Sequence, residues 1–239
     1  MIKFFRKIRQ KMLIENKFSK YLLYAIGEIV LVVIGILIAF QVSNWSKQKE
    51  RDTLERRTLT EMLSNLKMDS MDMSGNIKRN TISLESAEAV LYQLENRIAW
   101  NDSMANHYSR LLNYNSIVAP ILSSYENLKS SGFDLIKNDN LRFKIHQLYA
   151  QQYPFLGRLE QEHGESLRYS VIAPQVTGKI KTFSSKGSRP VDLTALMDDH
   201  AFKESIILFI GAQKLMISFY NRSLVLQVEL SKMIEQELK

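Results

Sequence analysis

Glu28 is the residue in this chain whose position is chemically most costly. It is the only charged residue in an apolar run, residues 21–40. A carboxylate buried alone in hydrocarbon costs on the order of several kcal/mol, so we expect Glu28 to be protonated, paired or hydrogen-bonded. On a helix, one face of the run collects mostly small residues: Ala25, Glu28, Val32, Gly35 and Ala39. Small residues let helices approach closely, so this face is predicted to contact other transmembrane helices, in a homo-oligomer or in a partner protein.

A second candidate site is the pair Glu160 and His163, which has the Glu-x-x-His spacing of di-iron ligands in helical bundles. Such a site needs a second Glu-x-x-His motif and two further glutamates. None of the other histidines has a carboxylate three residues earlier. We therefore expect no metal here and interpret Glu160, Glu162, His163 and Glu165 as a solvated run.

Asp198, Asp199 and His200 precede the last predicted helix, and acidic residues at that place are expected to cap its N-terminus. The chain has no cysteine, which excludes disulfides, Cys-ligated metals and thiol catalysis. Its sequence also lacks the motifs of nucleotide-binding loops, serine hydrolases and zinc proteases. We therefore expect neither a cofactor nor an enzymatic activity.

The apolar run must form an element long enough to cross a bilayer. Roughly 20 residues of helix span the hydrocarbon core of about 30 Å. Tyr21 and Tyr24 mark one membrane interface and Trp45 marks the other. The run is too long for a cleavable signal peptide and is followed by no small-residue cleavage site, so residues 21–42 are predicted to be an uncleaved transmembrane anchor. The alternative to helix contact is a monomeric anchor in which Glu28 is neutral.

Residues 1–20 are strongly basic, with a net charge of +6. The flank at 41–60 carries five basic residues against three acidic ones, so the denser cluster favours a cytoplasmic N-terminus. Apolar residues at 2, 5, 8 and 12 fall on one helical face, which predicts an interfacial amphipathic helix on anionic membrane lipid. A disordered basic arm is the alternative. The predicted lipid-headgroup contacts are Lys3, Arg6, Lys7, Arg9 and Lys11.

This basic segment accounts for most of the chain's net charge of +7. Once the negative charge of Glu28 is counted, residues 41–239 carry only +2. A nearly neutral domain offers no basic surface of the kind that binds phosphate backbones, so we expect no nucleic-acid partner.

Residues 43–239 are predicted to form an all-α domain, a bundle of long helices. Apolar residues recur at alternating spacings of four and three from Leu59 to Ile98, a heptad seam that predicts a buried stripe. The seam belongs either to the core of this bundle, which we favour, or to an intermolecular coiled coil.

Local signals divide the rest of the domain. A helix is expected from about 103 to 118, and a second from Pro120 until Gly132 ends it. Asn138 is expected to cap a long helical segment that Pro154 kinks. Residues 171–192 are predicted to be a loop with room for a short strand near 180–183. A last amphipathic helix covers about 201–238, and its stretch at 206–219 is too short and too polar to be a second membrane span.

Two stretches resemble a family of uncharacterised single-pass proteins common in flavobacteria and related Gram-negative bacteria. They are MIKFFRKIRQKMLIENKFSKYLLYAIGEIVLVVIGILIAFQVSNW and SSYENLKSSGFDLIKNDNLRFKIHQLY. The resemblance implies that Glu28 and the exit from the span at Asn44 and Trp45 belong to the family pattern. It also implies the bacterial inner membrane, with the large domain in the periplasm, and it supplies no activity.

Together these observations predict a membrane-anchored periplasmic scaffold or accessory subunit of a membrane complex, which acts by protein–protein binding. Two alternatives stay open. One is an ion-coupled subunit of the motor or energy-transducing type that uses Glu28. The other is a periplasmic ligand-sensing module with a pocket among its helices.

Overall fold

The computed structural model describes residues 18–111, 117–183 and 187–239. These residues are mostly helical. The chain divides into two compact units, Met1–Leu54 and Glu55–Lys239. The predicted amphipathic helix at the N-terminus lies outside the described residues.

The longest element is α1, a helix that spans Phe18–Glu95. It contains no proline, so nothing in its sequence removes a donor from the backbone hydrogen-bond ladder. Among the described residues, α1 is the one helix long and apolar enough to cross a membrane. The predicted seam ran on to Ile98, but α1 ends at Glu95 because Arg97 adopts a left-handed φ of 52°.

In the second unit, the seam of α1 faces the core of the same chain. Its positions from Leu59 to Leu94 are all buried or half-buried. Later helices cover it, and three clusters of buried apolar side chains follow one another along it. The clusters begin, in chain order along α1, at Leu59, Met73 and Ala87. The heptad stripe is thus the spine of an intramolecular bundle in this unit.

Three short helical elements follow α1. They are α2 (Met104–Arg110), α3 (Ser123–Ser131) and a 3₁₀ turn (Phe133–Leu135). As predicted, Gly132 ends α3, with a φ of 92° that other residues rarely adopt. However, α2 and α3 are shorter than predicted. Pro120 does not start a helix, because α3 begins only at Ser123, and the backbone N–H of Ile121 donates to Asp69.

A long helical segment with several wide turns runs from α4 (Asp139–His146) to α6 (Ala173–Val176). Asn138 caps α4 as predicted, and its side chain accepts hydrogen bonds from two backbone N–H groups. A π-helical turn, Gln147–Gln152, leads into α5 (Tyr153–Leu159), whose first turn holds Pro154. Because Pro154 has no N–H to donate, the wider turn before it gives up no backbone hydrogen bond at that residue. Two more π-helical turns follow, Glu160–Ser166 and Arg168–Ile172.

A β-hairpin corrects the all-α prediction. Residues 171–192 are not one loop, because β1 (Ile180–Phe183) pairs antiparallel with β2 (Gly187–Pro190). The hairpin packs on α2, where Ser188 bonds to Ser109 at 3.1 Å. Gly187 has a φ of 78°, and a Cβ there would lie 2.7 Å from the carbonyl oxygen of Ala105. The strand near 180–183 is therefore present, and its partner strand β2 packs against α2.

The chain continues through α7 (Leu193–Met197) to α8 (His200–Glu237), which matches the predicted last helix to within a residue at each end. The contacts between α8 and the α4–α5 segment show that the two segments run in opposite directions. Lys144 bonds to Glu229, and Gln152 bonds to Ser223. The two segments are therefore antiparallel, and this pairing decides which side chains meet between them.

Candidate functional site

The predicted helix-contact face lies on α1 in the first unit. Ala25 and Glu28 are half-buried, whereas Val32, Gly35 and Ala39 are exposed. A Cβ at Gly35 would meet no atom within 4 Å among the described residues. The helix and the spacing of this face are present, and what the face contacts stays a prediction.

The predicted interfacial aromatic residues lie at both ends of the apolar run. Tyr24 is half-buried, and the side chain of Tyr21 lies outside those described. Trp45 is exposed, with the Nζ of Lys49 5.6 Å from the centre of its ring. The predicted lipid-headgroup residues lie outside the described residues: Lys3, Arg6, Lys7, Arg9 and Lys11.

Asp69 is a carboxylate in the core of the second unit, where it is only 3% exposed. It accepts one hydrogen bond from the backbone N–H of Ile121 and one from the hydroxyl of Tyr153, each at 3.0 Å. The amide of Gln227 donates in turn to the Tyr153 oxygen at 3.1 Å. Burial raises the pKa of Asp69, and the two hydrogen bonds offset only part of that rise.

Glu160 is buried in the same way, which corrects its assignment to a solvated run. Its Oε1 accepts from the backbone N–H of Val118 at 2.9 Å and from the Tyr220 hydroxyl at 2.8 Å. Burial is the largest cause of a raised pKa, and the nearby charges of Asp72 and Glu165 add to it. Glu162 and Glu165 are exposed and His163 is half-buried. No group of three or more metal-ligating side chains gathers among the described residues.

A third buried carboxylate shares this arrangement. Glu55 accepts a hydrogen bond of 2.9 Å from the backbone N–H of Lys137. Glu55, Asp69 and Glu160, which we name the clamp carboxylates, each hold one backbone N–H of the segment 117–137. A buried side-chain oxygen that accepts from a backbone N–H satisfies a donor that would otherwise be buried without a partner. The clamp carboxylates therefore dock the segment 117–137 onto the bundle at three backbone positions outside its helices.

Of the two acidic residues before α8, Asp199 has the predicted capping role, whereas Asp198 makes an ion pair instead. Asp199 accepts from the backbone N–H of Phe202 as the N-cap of α8, and the ammonium of Lys179 lies 2.7 Å from it. Asp198 pairs with the guanidinium of Arg97 at 2.6 Å. Hydrogen bonding to Arg97 and to Lys179 lowers the pKa of Asp198 and of Asp199 respectively, so both stay ionised.

A surface groove of about 590 Å³ lies between α5 and α8. Its apolar floor holds Phe155 and Phe219, whose ring centres are 5.1 Å apart. Arg158 and Arg222 line the same groove, and none of the described residues that line it is acidic. The guanidinium of Arg158 lies 5.8 Å from the centre of the Phe155 ring.

Sequence reasoning missed this groove, although one signal was available. The motif Phe-x-x-Arg occurs as Phe155–Arg158 and again as Phe219–Arg222. On a helix, this spacing puts the ring and the guanidinium on one face. The antiparallel pairing of α5 with α8 then brings the two motifs together. The size of the groove falls within the range of small-molecule sites.

Comparison with known proteins gives a family and no activity. Residues 28–164 match a family model described as a family of unknown function, DUF6090. No curated protein and no solved structure matches the chain. The matched region starts at Glu28, includes the clamp carboxylates and α5, and ends before α8. Because it covers more than half of the 239 residues, the chain belongs to DUF6090, a family of unknown function, as the resemblance to an uncharacterised family predicted.

Proposed function

We propose that this protein is a single-pass membrane protein whose helical domain acts by protein–protein binding, as a scaffold or accessory subunit of a membrane complex. One observation carries the proposal. None of the most apolar part of α1 is buried by the described residues. Leu23 and Leu31, for example, are 79% and 72% exposed. An apolar surface of this extent needs lipid or another protein to remove it from water.

A core helix of a soluble protein has the same length and apolar composition, but its side chains are mostly buried. Here the second unit has its own core, built on a different part of α1. The apolar part of α1 therefore has a function other than filling that core. A lipid bilayer is the partner that matches about 20 consecutive apolar residues.

The basic N-terminal segment supports a cytoplasmic N-terminus and a periplasmic domain in a bacterial inner membrane. The resemblance to single-pass proteins of flavobacteria and related Gram-negative bacteria supports the same arrangement. Anionic lipid would meet the basic segment, and other transmembrane helices would meet the face that holds Glu28 and Gly35.

The test is extraction of the tagged full-length chain from native membranes with a mild detergent, followed by mass spectrometry of the proteins that co-purify. We expect one or a few membrane proteins in a fixed ratio to the chain. The proposal fails if the chain fractionates as a soluble protein, or if it runs alone after gentle extraction and after crosslinking in the membrane.

Introduced cysteines test the helix-contact face directly, because the chain has none of its own. Val32→Cys and Gly35→Cys, each introduced alone, should give disulfide-linked dimers in native membranes if this face contacts a second copy, because each disulfide then joins the same introduced cysteine of two chains. Val30→Cys lies on another side of the helix and is the matched control. Equal crosslinking at all three positions would contradict a defined helix contact.

An ion-coupled subunit is the second candidate function, since Glu28 is the only charged residue within the apolar run. A carboxylate that carries protons must titrate inside the membrane. Glu28→Gln should then abolish ion coupling by the complex while leaving its assembly intact. Unchanged coupling in that variant would remove this candidate.

A further inference from the structure

The groove between α5 and α8 contains two arginines that lack carboxylate partners. Neither Arg158 nor Arg222 makes an ion pair within the part of the chain that the structure describes. Elsewhere in the same unit, some arginines are paired with nearby acids. Arg57 pairs with Glu61, and Arg97 pairs with Asp198. The groove therefore concentrates positive charge that the fold does not neutralise.

The floor between these arginines is aromatic and partly open to solvent. Phe155 is 37% exposed, and its ring leans on Phe219 with an angle of 55° between the two planes. The contact of Arg158 with the Phe155 ring keeps that guanidinium beside the floor. Gln152, which is buried, is held at the floor by its hydrogen bond of 2.8 Å to Ser223. Gln152 thus joins the lining of the groove to the packed core of the bundle.

From this geometry we propose that the groove binds a small organic anion with an apolar body. A guanidinium presents paired donors that match the two oxygens of a carboxylate, sulfonate or phosphate. The phenyl rings supply the surface on which an aromatic or aliphatic body packs. A volume of about 590 Å³ suits a small molecule, whereas a stable protein partner needs roughly 800 Å² of contact surface on each side.

The inference is independent of the membrane anchor, since every residue that carries it lies in the second unit. It goes beyond scaffold binding by assigning a ligand site to the domain. Occupation of the groove would bridge α5 and α8, and it would therefore favour the conformation in which the two helices are paired.

The experiment uses the full-length protein in phosphatidylcholine nanodiscs, with empty nanodiscs as the blank. The probe is naphthalene-2-carboxylate, followed by isothermal titration and by its own fluorescence. Two further arms separate the parts of the recognition: naphthalene-2-carboxamide lacks the charge, and inorganic phosphate lacks the apolar body. We expect saturable binding of the carboxylate alone, with a stoichiometry near one per chain.

Arg158→Gln and Arg222→Gln should each weaken binding of the carboxylate about tenfold, the effect of losing one charge-assisted hydrogen bond. Arg57→Gln, an exposed arginine outside the groove, is the matched control and should bind as the wild type does. Circular dichroism checks that each variant is folded, and the two single variants serve as independent tests. The proposal is overturned by no saturable binding, by equal binding of the carboxamide, or by full affinity in both groove variants.

Discussion

The pKa values of Asp69 and Glu160 depend on two opposing effects: burial of the carboxyl group and hydrogen bonds donated to it. Each accepts one backbone N–H and one tyrosine hydroxyl. Desolvation nevertheless outweighs these bonds, so the pKa of each carboxyl is higher in the folded protein than in an unfolded chain. The folded domain therefore holds these protons more tightly than the unfolded chain does.

Substitution of Glu160 separates its hydrogen bonds from its charge. Glu160→Gln keeps an Oε1 that accepts from both Val118 and Tyr220, so we expect the free energy of unfolding at pH 7 to be unchanged or higher. Glu160→Ala leaves both donors buried without an acceptor and should lower it by about 2–4 kcal/mol. Thermal and denaturant unfolding of the full-length protein measures both. Glu162→Gln, an exposed neighbour, is the control. If Glu160→Ala leaves the free energy of unfolding unchanged, the structural role of the two hydrogen bonds to Glu160 is contradicted.

The raised pKa of Glu160 also makes the free energy of unfolding depend on pH. As pH rises, the unfolded chain loses this proton first, while the folded protein still holds it. The contribution of Glu160 to stability is therefore greatest below its ordinary pKa, and it is lost as pH rises through the raised folded value. We expect the wild type to lose more stability than Glu160→Gln over that pH range. Parallel pH profiles in the two proteins would contradict this.

At the scale of elements, the seam of α1 determines where the other helices pack. Leu66 lies in the seam and is completely buried, whereas Met68, two residues further on, is 57% exposed. We expect Leu66→Ala to lower the free energy of unfolding by about 2–5 kcal/mol through lost burial and a cavity. Met68→Ala should change it by less than about 0.5 kcal/mol. Denaturant unfolding of both variants makes the comparison, and similar losses would mean that the seam has been misassigned.

Several elements were predictable because their signals are local. The positive φ at Gly132, the side-chain cap at Asn138 and the amphipathic pattern of α8 depend on residues within a few positions. The hairpin was only half predictable, since β1 is stabilised by β2 and by the contact of Gly187 with α2. The local sequence of β2 does not predict a strand, because the contacts that hold β2 come from α2, far away along the chain.

The candidate sites show the same limit. Sequence alone placed Glu28 and its helix face, because helical spacing fixes them. It placed Glu160 in a solvated run, since adjacent acidic residues are usually exposed, and burial of Glu160 depends on α8 bringing Tyr220 to it. The two Phe-x-x-Arg motifs are visible in the sequence, but their meeting follows from the antiparallel pairing of α5 and α8.

At the scale of the whole molecule, the proposal that α1 spans a membrane predicts the effect of charge in its apolar part. Leu31→Arg and Ile34→Arg should each reduce membrane insertion, since arginine at the centre of a span costs about 2.5–3.5 kcal/mol. Met71→Arg adds the same charge at an exposed position of α1 in the second unit and is the control. Alkaline carbonate extraction of cell membranes measures insertion. Retention of the double variant Leu31→Arg with Ile34→Arg at the wild-type level would contradict a membrane-spanning role for α1.

The clamp carboxylates have a consequence for the exchange of backbone hydrogens with solvent. Val118, Ile121 and Lys137 lie outside α-helices and strands, where amide protons commonly exchange within minutes. Each donates instead to a carboxylate in or near the core, so its proton should be released only when the bundle opens. We expect the exchange of these three amides to be as slow as that of the seam of α1, when measured by hydrogen–deuterium exchange. The exchange rates of three amides outside the regular helices would then report the opening of the whole domain.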